Sequence, residues 1–112
     1  MLISGDDLLT LPIYSIGGVG VISVLAYAFP IVFRKMKEHA FAGNYAKAQK
    51  ELFKIVDINA PMYEEGNPVG VKLLMSEMGI CGPHVRLPLV EASDKLKARI
   101  KSAYEPIKKG QR

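Results

Sequence analysis

The sequence predicts an α/β chain that is mostly helical, in which one strand-helix-strand unit precedes four helices. Near the N-terminus two short runs of strand-forming residues flank a helix-like apolar stretch, the pattern of two parallel strands joined by a helix. From residue 30 onward, apolar residues instead recur every three or four positions, as on one face of a helix. The chain has 112 residues, 49% hydrophobic and 23% charged, so we expect a packed core rather than disorder.

The strand-helix-strand unit is expected within residues 1–24. Leu2–Gly5 has the character of the last residues of a buried strand, and no start of that strand is visible. Asp6 or Asp7 is expected to cap the helix that follows, and two glycines, at 17 and 18, are expected to end it. Gly20–Val24 is short and β-branched, which makes it the strongest strand in the chain.

The four later helices are predicted from periodicity and from residues typical of helix ends, over residues 30–43, 45–60, 68–79 and 93–107. Asn67 is expected to cap the third, with Pro68 at its first position, and Ser93 is expected to open the last. The expected inward-facing side chains are Val32, Phe33, Met36, Ala40, Tyr45, Ala48, Leu52, Ile55, Val56, Val71, Leu74, Met75, Met78, Leu96, Ile100, Ala103 and Ile107.

A membrane span is the main alternative for the N-terminal third. No charged residue lies between Leu8 and Phe33, and cations follow directly, which fits a spanning helix of about 20 apolar residues. Pro12, the glycines at 17, 18 and 20, and Pro30 instead favour short buried elements. The residues alone leave both alternatives open. A secretory signal peptide is not expected, because acidic residues precede the apolar run.

The net charge of +4 comes from 15 basic and 11 acidic residues, and the excess lies late in the chain. These basic residues are not interleaved with aromatic residues that could stack on bases, so we expect a solvated helix face and no nucleic-acid partner. The residues concerned are Lys95, Lys97, Arg99, Lys101, Lys108, Lys109 and Arg112.

No complete catalytic set is evident. Asp6 and Asp7 could act as paired carboxylates, but adjacent acids before an apolar run favour a helix cap. Lys72 shares a helix with apolar residues, which is one setting for an imine-forming amine, although an exposed or paired lysine is expected. The glycines at 17, 18 and 20 precede a strand, whereas a dinucleotide fingerprint follows one, so no phosphate loop is expected.

No metal or cofactor is expected. His39 and His84 lack partners at the spacing of metal ligands. Cys81 is the single cysteine, which excludes an internal disulfide and a cysteine-cluster metal site. It fits either a reducing compartment or a small buried residue.

Four segments carry a resemblance to a known family, and they are Leu2–Asp7, Gly17–Val24, Asn67–Lys72 and Arg86–Leu89. Their order and spacing resemble the dihydrodipicolinate synthase family, which belongs with N-acetylneuraminate lyase to the pyruvate-dependent Schiff-base lyases. The resemblance covers essentially the whole chain. The last two segments favour the dihydrodipicolinate branch over the sialic-acid branch.

The resemblance implies the C-terminal fragment of a (β/α)8 TIM barrel. Residues 1–43 would supply the end of strand seven, helix seven, strand eight and helix eight, and residues 44–112 a three-helix C-terminal extension. A complete barrel needs about 250 residues, so the remainder is expected upstream of Met1. The uncharged run then becomes a buried helix and a barrel strand, which implies no membrane association and a cytoplasmic location.

The resemblance also implies a chemistry. Family members condense pyruvate with aspartate semialdehyde in the diaminopimelate pathway of lysine biosynthesis, through an imine on a lysine of strand six, with a tyrosine and a threonine. All three groups would lie upstream of Met1, so the isolated chain is expected to be inactive, with no catalytic residue and no cofactor. Gly5 would leave room for pyruvate, and Ile22 would present its backbone to the adduct. Tyr27 departs from the family, where asparagine is common, so the loop that contains it is expected to differ.

Two other functions stay open. One is a non-catalytic assembly or interaction module built on the helical extension, and the other is a related pyruvate lyase similar to N-acetylneuraminate lyase. A homo-oligomer, or association with a missing N-terminal portion, is the expected assembly. The isolated chain is expected to self-associate, because barrel faces would lack their cover.

Overall fold

Two short parallel strands, β1 (Ile3–Ser4) and β2 (Gly20–Val21), are joined by helix α1 (Thr10–Ser15) in the computed structural model, which describes residues 1–110. Ile3 pairs with Gly20 and Ser4 with Val21. Because parallel neighbours need a crossover between them, α1 supplies the connection that the sequence predicted. The strand-helix-strand unit is confirmed.

The second strand is shorter than predicted, since it ends at Val21 rather than Val24. Its continuation bends into a 3-10 helix, Leu25–Tyr27. Side-chain oxygens hold this bend: Asp7 Oδ2 accepts the Leu25 N–H at 2.9 Å, and Ser23 Oγ accepts the Ala26 N–H at 2.8 Å. These bonds satisfy N–H groups at the start of the 3-10 helix, so the chain leaves the strand early.

The prediction that Asp6 or Asp7 caps α1 is wrong. The helix begins at Thr10 after Leu9, and no side chain caps it. A turn comes first, in which Asp6 Oδ1 accepts the Leu9 N–H at 2.9 Å. Asp7 instead points inward, with 1% of its surface exposed. The two adjacent carboxylates therefore serve different bonds and form no catalytic pair.

Helix α2 (Pro30–Phe41) has Pro30 in its first turn, as predicted. Its predicted inward stripe is buried and consists of Val32, Phe33, Met36 and Ala40. The helix packs against α1 and against α3 (Tyr45–Phe53). Gly43, at a φ of +75°, allows the sharp reversal between α2 and α3. Asn44 then caps α3 by accepting the Lys47 N–H at 3.1 Å.

The helix predicted over residues 45–60 is interrupted. After α3, the Lys54 and Ile55 N–H groups donate to carbonyls three residues back, which tightens the turn before α4 (Val56–Asn59) and a 3-10 helix, Ala60–Met62. Ala48 and Ile55 are fully buried, as predicted. The tightened turn takes Val56 out of the apolar stripe, and Tyr45 begins the helix, so both are more than a third exposed rather than inward-facing.

The chain forms two compact units, Met1–Val56 and the residues from Asp57 onward. In the second unit, α5 (Val69–Glu77) packs against α6 (Asp94–Gly110) and against the 3-10 helix Ala60–Met62. Leu74, Leu96 and Ile100 are buried between these elements, as predicted, whereas Met75, Met78, Ala103 and Ile107 are only half-buried.

The two predicted caps of the second unit have opposite outcomes. Asn67 does not cap α5, because Pro68 occupies the N-cap position and the Val69 N–H donates to the Gly66 carbonyl. The Asn67–Pro68 peptide bond is cis. Ser93 does cap α6, since its Oγ accepts the Leu96 N–H at 3.2 Å.

The predicted solvated basic face is confirmed on α6, where all six lysine and arginine side chains are exposed. Arg112, the last member of that group, lies outside the described residues. Cys81 is exposed, so its interpretation as a small buried residue is wrong.

Across residues 1–110, no helix combines the length and the apolar character that a membrane crossing requires.

Candidate functional site

Gly5 and Ile22, the two predicted substrate-binding residues, lie at the carboxyl ends of the parallel strands. Ser4 pairs with Val21, so Gly5 and Ile22 are the next residues in the same register. The Ile22 N–H donates to the Ser4 carbonyl at 2.9 Å, which continues the pairing past β2. Sixteen residues of intervening chain separate Gly5 from Ile22 in sequence, and the pairing of the two strands brings them together.

Gly5 stands beside open space. A Cβ atom built on Gly5 would meet no described atom within 4 Å, and its backbone is not in the left-handed region. Neither packing nor backbone geometry within the described residues therefore requires glycine here. The absence of a side chain leaves room for another group at this edge.

Ile22 is fixed through its main chain. Its side chain is 77% exposed, and its N–H is engaged by Ser4. A ligand at this edge would therefore meet the Ile22 carbonyl, which is a hydrogen-bond acceptor with two lone pairs.

A shallow depression of about 230 Å³, open to solvent, is lined by Val21, Ser23, Ala26 and Tyr27, and neither Gly5 nor Ile22 is among its lining residues. Closed pockets for small ligands usually measure about 300–1,000 Å³, so this one has the size of part of a site. Tyr27, one of the lining residues, is 69% exposed.

A network of small polar groups holds the loop that carries Gly5. Ser4 Oγ donates to the Asp6 carbonyl at 2.7 Å, and Thr10 Oγ1 donates to the same carbonyl at 2.9 Å. Ser4, Asp7 and Thr10 are each at most 1% exposed. Sequence reasoning missed this network. A serine, two aspartates and a threonine within seven residues, next to a strand end, were the available signal, because such side chains bond to nearby backbone.

The side chains around the depression offer two hydroxyl groups, those of Ser23 and Tyr27, and no amine. Ser23 already bonds to the Ala26 N–H. Lys72, considered as an imine-forming amine, belongs to the second unit, where its Nζ donates to the His84 carbonyl at 2.7 Å. It is a paired lysine, as expected. A nucleophilic amine for chemistry at this edge would therefore have to come from residues other than those that line the depression.

The polar groups of the second unit connect residues of its loops to one another. His84 Nδ1 contacts the Glu91 carboxylate, and Glu65 accepts hydrogen bonds from the Ser93 hydroxyl and from the Ser93 N–H. Those two bonds lower the pKa of Glu65 below its usual value. Among residues 1–110, no three His, Cys, Asp or Glu side chains converge to hold a metal ion.

Sequence comparison identifies a family. The sequence profile described as "Dihydrodipicolinate synthetase family" matches residues 1–106. A curated relative from Cytophaga hutchinsonii, named 4-hydroxy-tetrahydrodipicolinate synthase, is 48% identical over 107 residues. The match covers 96% of this chain and 36% of the relative.

Comparison with solved structures also finds dihydrodipicolinate synthases. The dihydrodipicolinate synthase of Thermotoga maritima has a TM-score of 0.91 at 30% identity, over 96% of this chain and 37% of that chain. The chloride-inhibited dihydrodipicolinate synthase of Acinetobacter baumannii, solved in complex with pyruvate, has a TM-score of 0.88 at 27% identity over 95% and 36%. This chain thus spans little more than a third of the length of the proteins it matches.

Proposed function

The chain belongs to the dihydrodipicolinate synthetase family, and from that membership we propose that it forms the C-terminal part of a pyruvate-dependent Schiff-base lyase. The proposed reaction is the condensation of pyruvate with aspartate semialdehyde in lysine biosynthesis. The partial match in length supports a portion rather than a whole catalytic unit. A cytoplasmic location belongs to the same proposal and rests on the family alone.

In this proposal the first unit is part of a (β/α)8 barrel. β1 is the end of strand seven, α1 is helix seven, β2 is strand eight and α2 is helix eight. The parallel pairing of β1 with β2 through one helix supports this assignment, because a barrel repeats that connection around its circumference. The boundary between residues 1–43 and 44–112, where the helical extension would begin, remains part of the proposal.

The observation that carries the proposal is the placement of Gly5 beside Ile22 at the carboxyl edge of the strands. Active sites of these barrels lie at that edge. The open space at Gly5 would take the pyruvate, and the Ile22 carbonyl would accept a hydrogen bond from the adduct. Both residues act by shape and backbone polarity, and neither moves a proton.

The groups that form and protonate the imine would be supplied from outside these 112 residues, by a lysine, a tyrosine and a threonine that precede the barrel part seen here. The proposed partner is therefore the N-terminal portion of the barrel, within one polypeptide or as a separate chain, with homo-oligomerisation as a further level. Exposed apolar side chains on the strands and their flanks support a missing cover, and they include Leu2, Ile3, Val19 and Ile22.

A chimera tests this function. The chain replaces the matched 107 residues of the Cytophaga hutchinsonii relative, and condensation of pyruvate with aspartate semialdehyde is measured. We expect an active chimera. Gly5→Val should lower its kcat/KM by about 100-fold, because the branched side chain displaces the substrate, while thermal unfolding of the 112-residue chain stays unchanged. The kcat/KM of the Gly5→Ala chimera should lie between those of the unsubstituted chimera and of Gly5→Val.

Borohydride trapping with pyruvate supplies the control. The chimera should form a covalent adduct, and the 112-residue chain alone should form none. An adduct on Lys72 of the isolated chain, or an inactive but folded chimera, would contradict the proposal.

A non-catalytic assembly module is the second candidate, and the same exposed apolar side chains of the first unit favour it. In that case the chain would bind a full-length relative without changing its catalytic rate. Copurification of the tagged chain with the Cytophaga hutchinsonii synthase, followed by activity measurement, separates this candidate from complementation of an N-terminal portion.

A further inference from the structure

Asp7 is a buried carboxylate that joins two segments far apart in sequence. Its side chain is 1% exposed, and its Oδ2 accepts the Leu25 N–H at 2.9 Å across 18 residues. Leu25 is itself fully buried. An ionised acceptor makes a stronger hydrogen bond than a neutral one, and removing it would leave a buried N–H without its acceptor.

Each end of this bond is fixed to one of the two candidate binding residues. On the first side, Ser4 Oγ accepts the Asp6 N–H at 3.2 Å and donates to the Asp6 carbonyl, so the loop from Gly5 to Asp7 is held as one piece. On the second side, Ser23 Oγ accepts the Ala26 N–H, so the turn that follows Ile22 is held to the start of the 3-10 helix.

The strands alone provide little restraint. β1 and β2 have two residues each, and beyond them the Ile22 N–H bond to Ser4 continues the pairing. The Asp7–Leu25 bond is a second connection between the same two segments, formed two residues after Gly5 and three after Ile22. The first connection is made by Ile22 itself and the second three residues later, and two connections restrict the position of Ile22 relative to Gly5 more than one can.

We propose that Asp7 is a positioning residue that fixes the Ile22 main chain relative to Gly5 and thereby sets the shape of the pyruvate subsite. This inference rests on the proposed function for its catalytic consequence. Asp7 acts through Leu25 rather than on substrate, because its Oδ2 is bonded to the Leu25 N–H and its side chain is excluded from solvent.

The test uses three substitutions in the chimera described above. Asp7→Ala should raise the KM for pyruvate by about tenfold or more, while kcat falls less than about threefold, because the subsite is displaced and the chemical groups are not. Asp7→Asn retains an acceptor oxygen and should restore most of the loss. Asp6→Ala is the matched control. Among the described residues, the Asp6 carboxylate accepts a hydrogen bond from the Leu9 N–H of the local turn and none from the Leu25 segment.

Amide hydrogen exchange in the 112-residue chain gives an independent measurement. Asp7→Ala should speed exchange at the Leu25 and Ile22 N–H groups by about tenfold or more relative to the core of α2, and Asp6→Ala should not. Should Asp7→Ala fail to fold, Asp7→Asn replaces it. An amide oxygen is a weaker acceptor than a carboxylate oxygen, so exchange at the Leu25 N–H should still be faster in Asp7→Asn than in Asp6→Ala, and equal exchange in the two variants would overturn the inference.

The outcomes separate the two proposals. An inactive parent chimera, with exchange at Leu25 and Ile22 dependent on Asp7, would overturn the proposed function and support the positional role. An active chimera in which Asp7→Ala and Asp6→Ala share the same pyruvate KM would overturn the inference and support the function. Equal loss in Asp7→Asn and Asp7→Ala would also overturn it, since the acceptor oxygen would then be irrelevant.

Discussion

The two compact units stabilise themselves in different ways. The first, Met1–Val56, has an apolar core that also contains buried polar side chains. The buried polar residues of the described chain all lie in this unit, and they are Ser4, Asp7, Thr10 and Glu51. Of the 17 large apolar side chains that are exposed among the described residues, 13 belong to this unit. In the second unit, the polar connections lie on the surface, as between Glu65 and Ser93.

The difference indicates which unit is incomplete by itself. Exposed apolar residues scattered singly are ordinary on a monomer, but a group of them on and beside two open strands, Leu2, Ile3, Val19 and Ile22, is typical of a surface that another element covers. The second unit has the usual arrangement, with apolar residues between helices and charged residues outside. The first unit is therefore the part of the chain that we expect to depend on contacts with residues outside it.

The largest effect is expected from Gly70→Ala in the second unit. A Cβ at Gly70 would lie 2.6 Å from Met62 Cα and 2.7 Å from the Pro61 carbonyl oxygen, and backbone atoms cannot move aside easily. We expect a loss of about 3 kcal/mol in the free energy of unfolding, measured by chemical denaturation.

The control for Gly70→Ala is Gly20→Ala in the first unit, where a Cβ meets no described atom within 4 Å. It should change the free energy of unfolding by less than about 0.5 kcal/mol. Equal losses in the two variants would show that close packing is not what distinguishes Gly70.

A second prediction concerns self-association. Replacing Ile3 and Ile22 together by lysine should weaken self-association of the chain by at least about tenfold, because burying one isoleucine side chain contributes about 1.5–3 kcal/mol. Sedimentation velocity over a concentration series measures it. Leu87→Lys with Val90→Lys changes two equally apolar, exposed residues of the second unit and should have little effect.

A parent chain that sediments as a monomer throughout, or a control pair that weakens association equally, would contradict the assignment of the open surface to the first unit.

The smallest effect is expected when the pH is lowered, and it concerns the stability of the first turn of α6. Hydrogen bonds from Ser93 lower the pKa of Glu65, so folding favours its carboxylate form. The stabilisation is therefore present above the usual pKa of 4.5 and is lost as the pH falls through the lowered value. We expect α6 to loosen at its first turn below that pH, as measured by amide exchange at Ser93 and Leu96.

Glu65→Gln should remove this pH dependence, and Glu105→Gln, on the exposed side of α6, should retain it. An unchanged acid response in Glu65→Gln would assign the loosening to another group.

Much of the fold could be predicted because local rules governed it. Pro30 begins α2, Gly43 ends it, and Ser93 caps α6, since each of these residues acts within one turn of its own position. The inward stripe of α2 was predicted for the same reason. Where periodicity was broken by a tightened turn, as after Lys54, the predicted face was wrong for Val56.

The candidate site was predicted only in part. Gly5 and Ile22 were proposed through a family resemblance, and their own residue types carry little signal, because one has no side chain and the other would act through its backbone. Asp7 was interpreted as a local helix cap. An aspartate before an apolar run has no feature that distinguishes a cap from an acceptor for an N–H 18 residues away.

The sequence by itself determined the order of elements, most helix ends, the solvated basic face of α6 and the family to which the chain is similar. Only the tertiary structure decided that β2 ends early, that Asp7 bonds to Leu25, and that Gly5 lies beside Ile22 with open space around it. The physical reason is the distance along the chain over which each feature is determined. Caps, turns and periodicity depend on neighbours within a few residues, whereas strand register and a buried hydrogen bond depend on which distant segment the fold brings alongside.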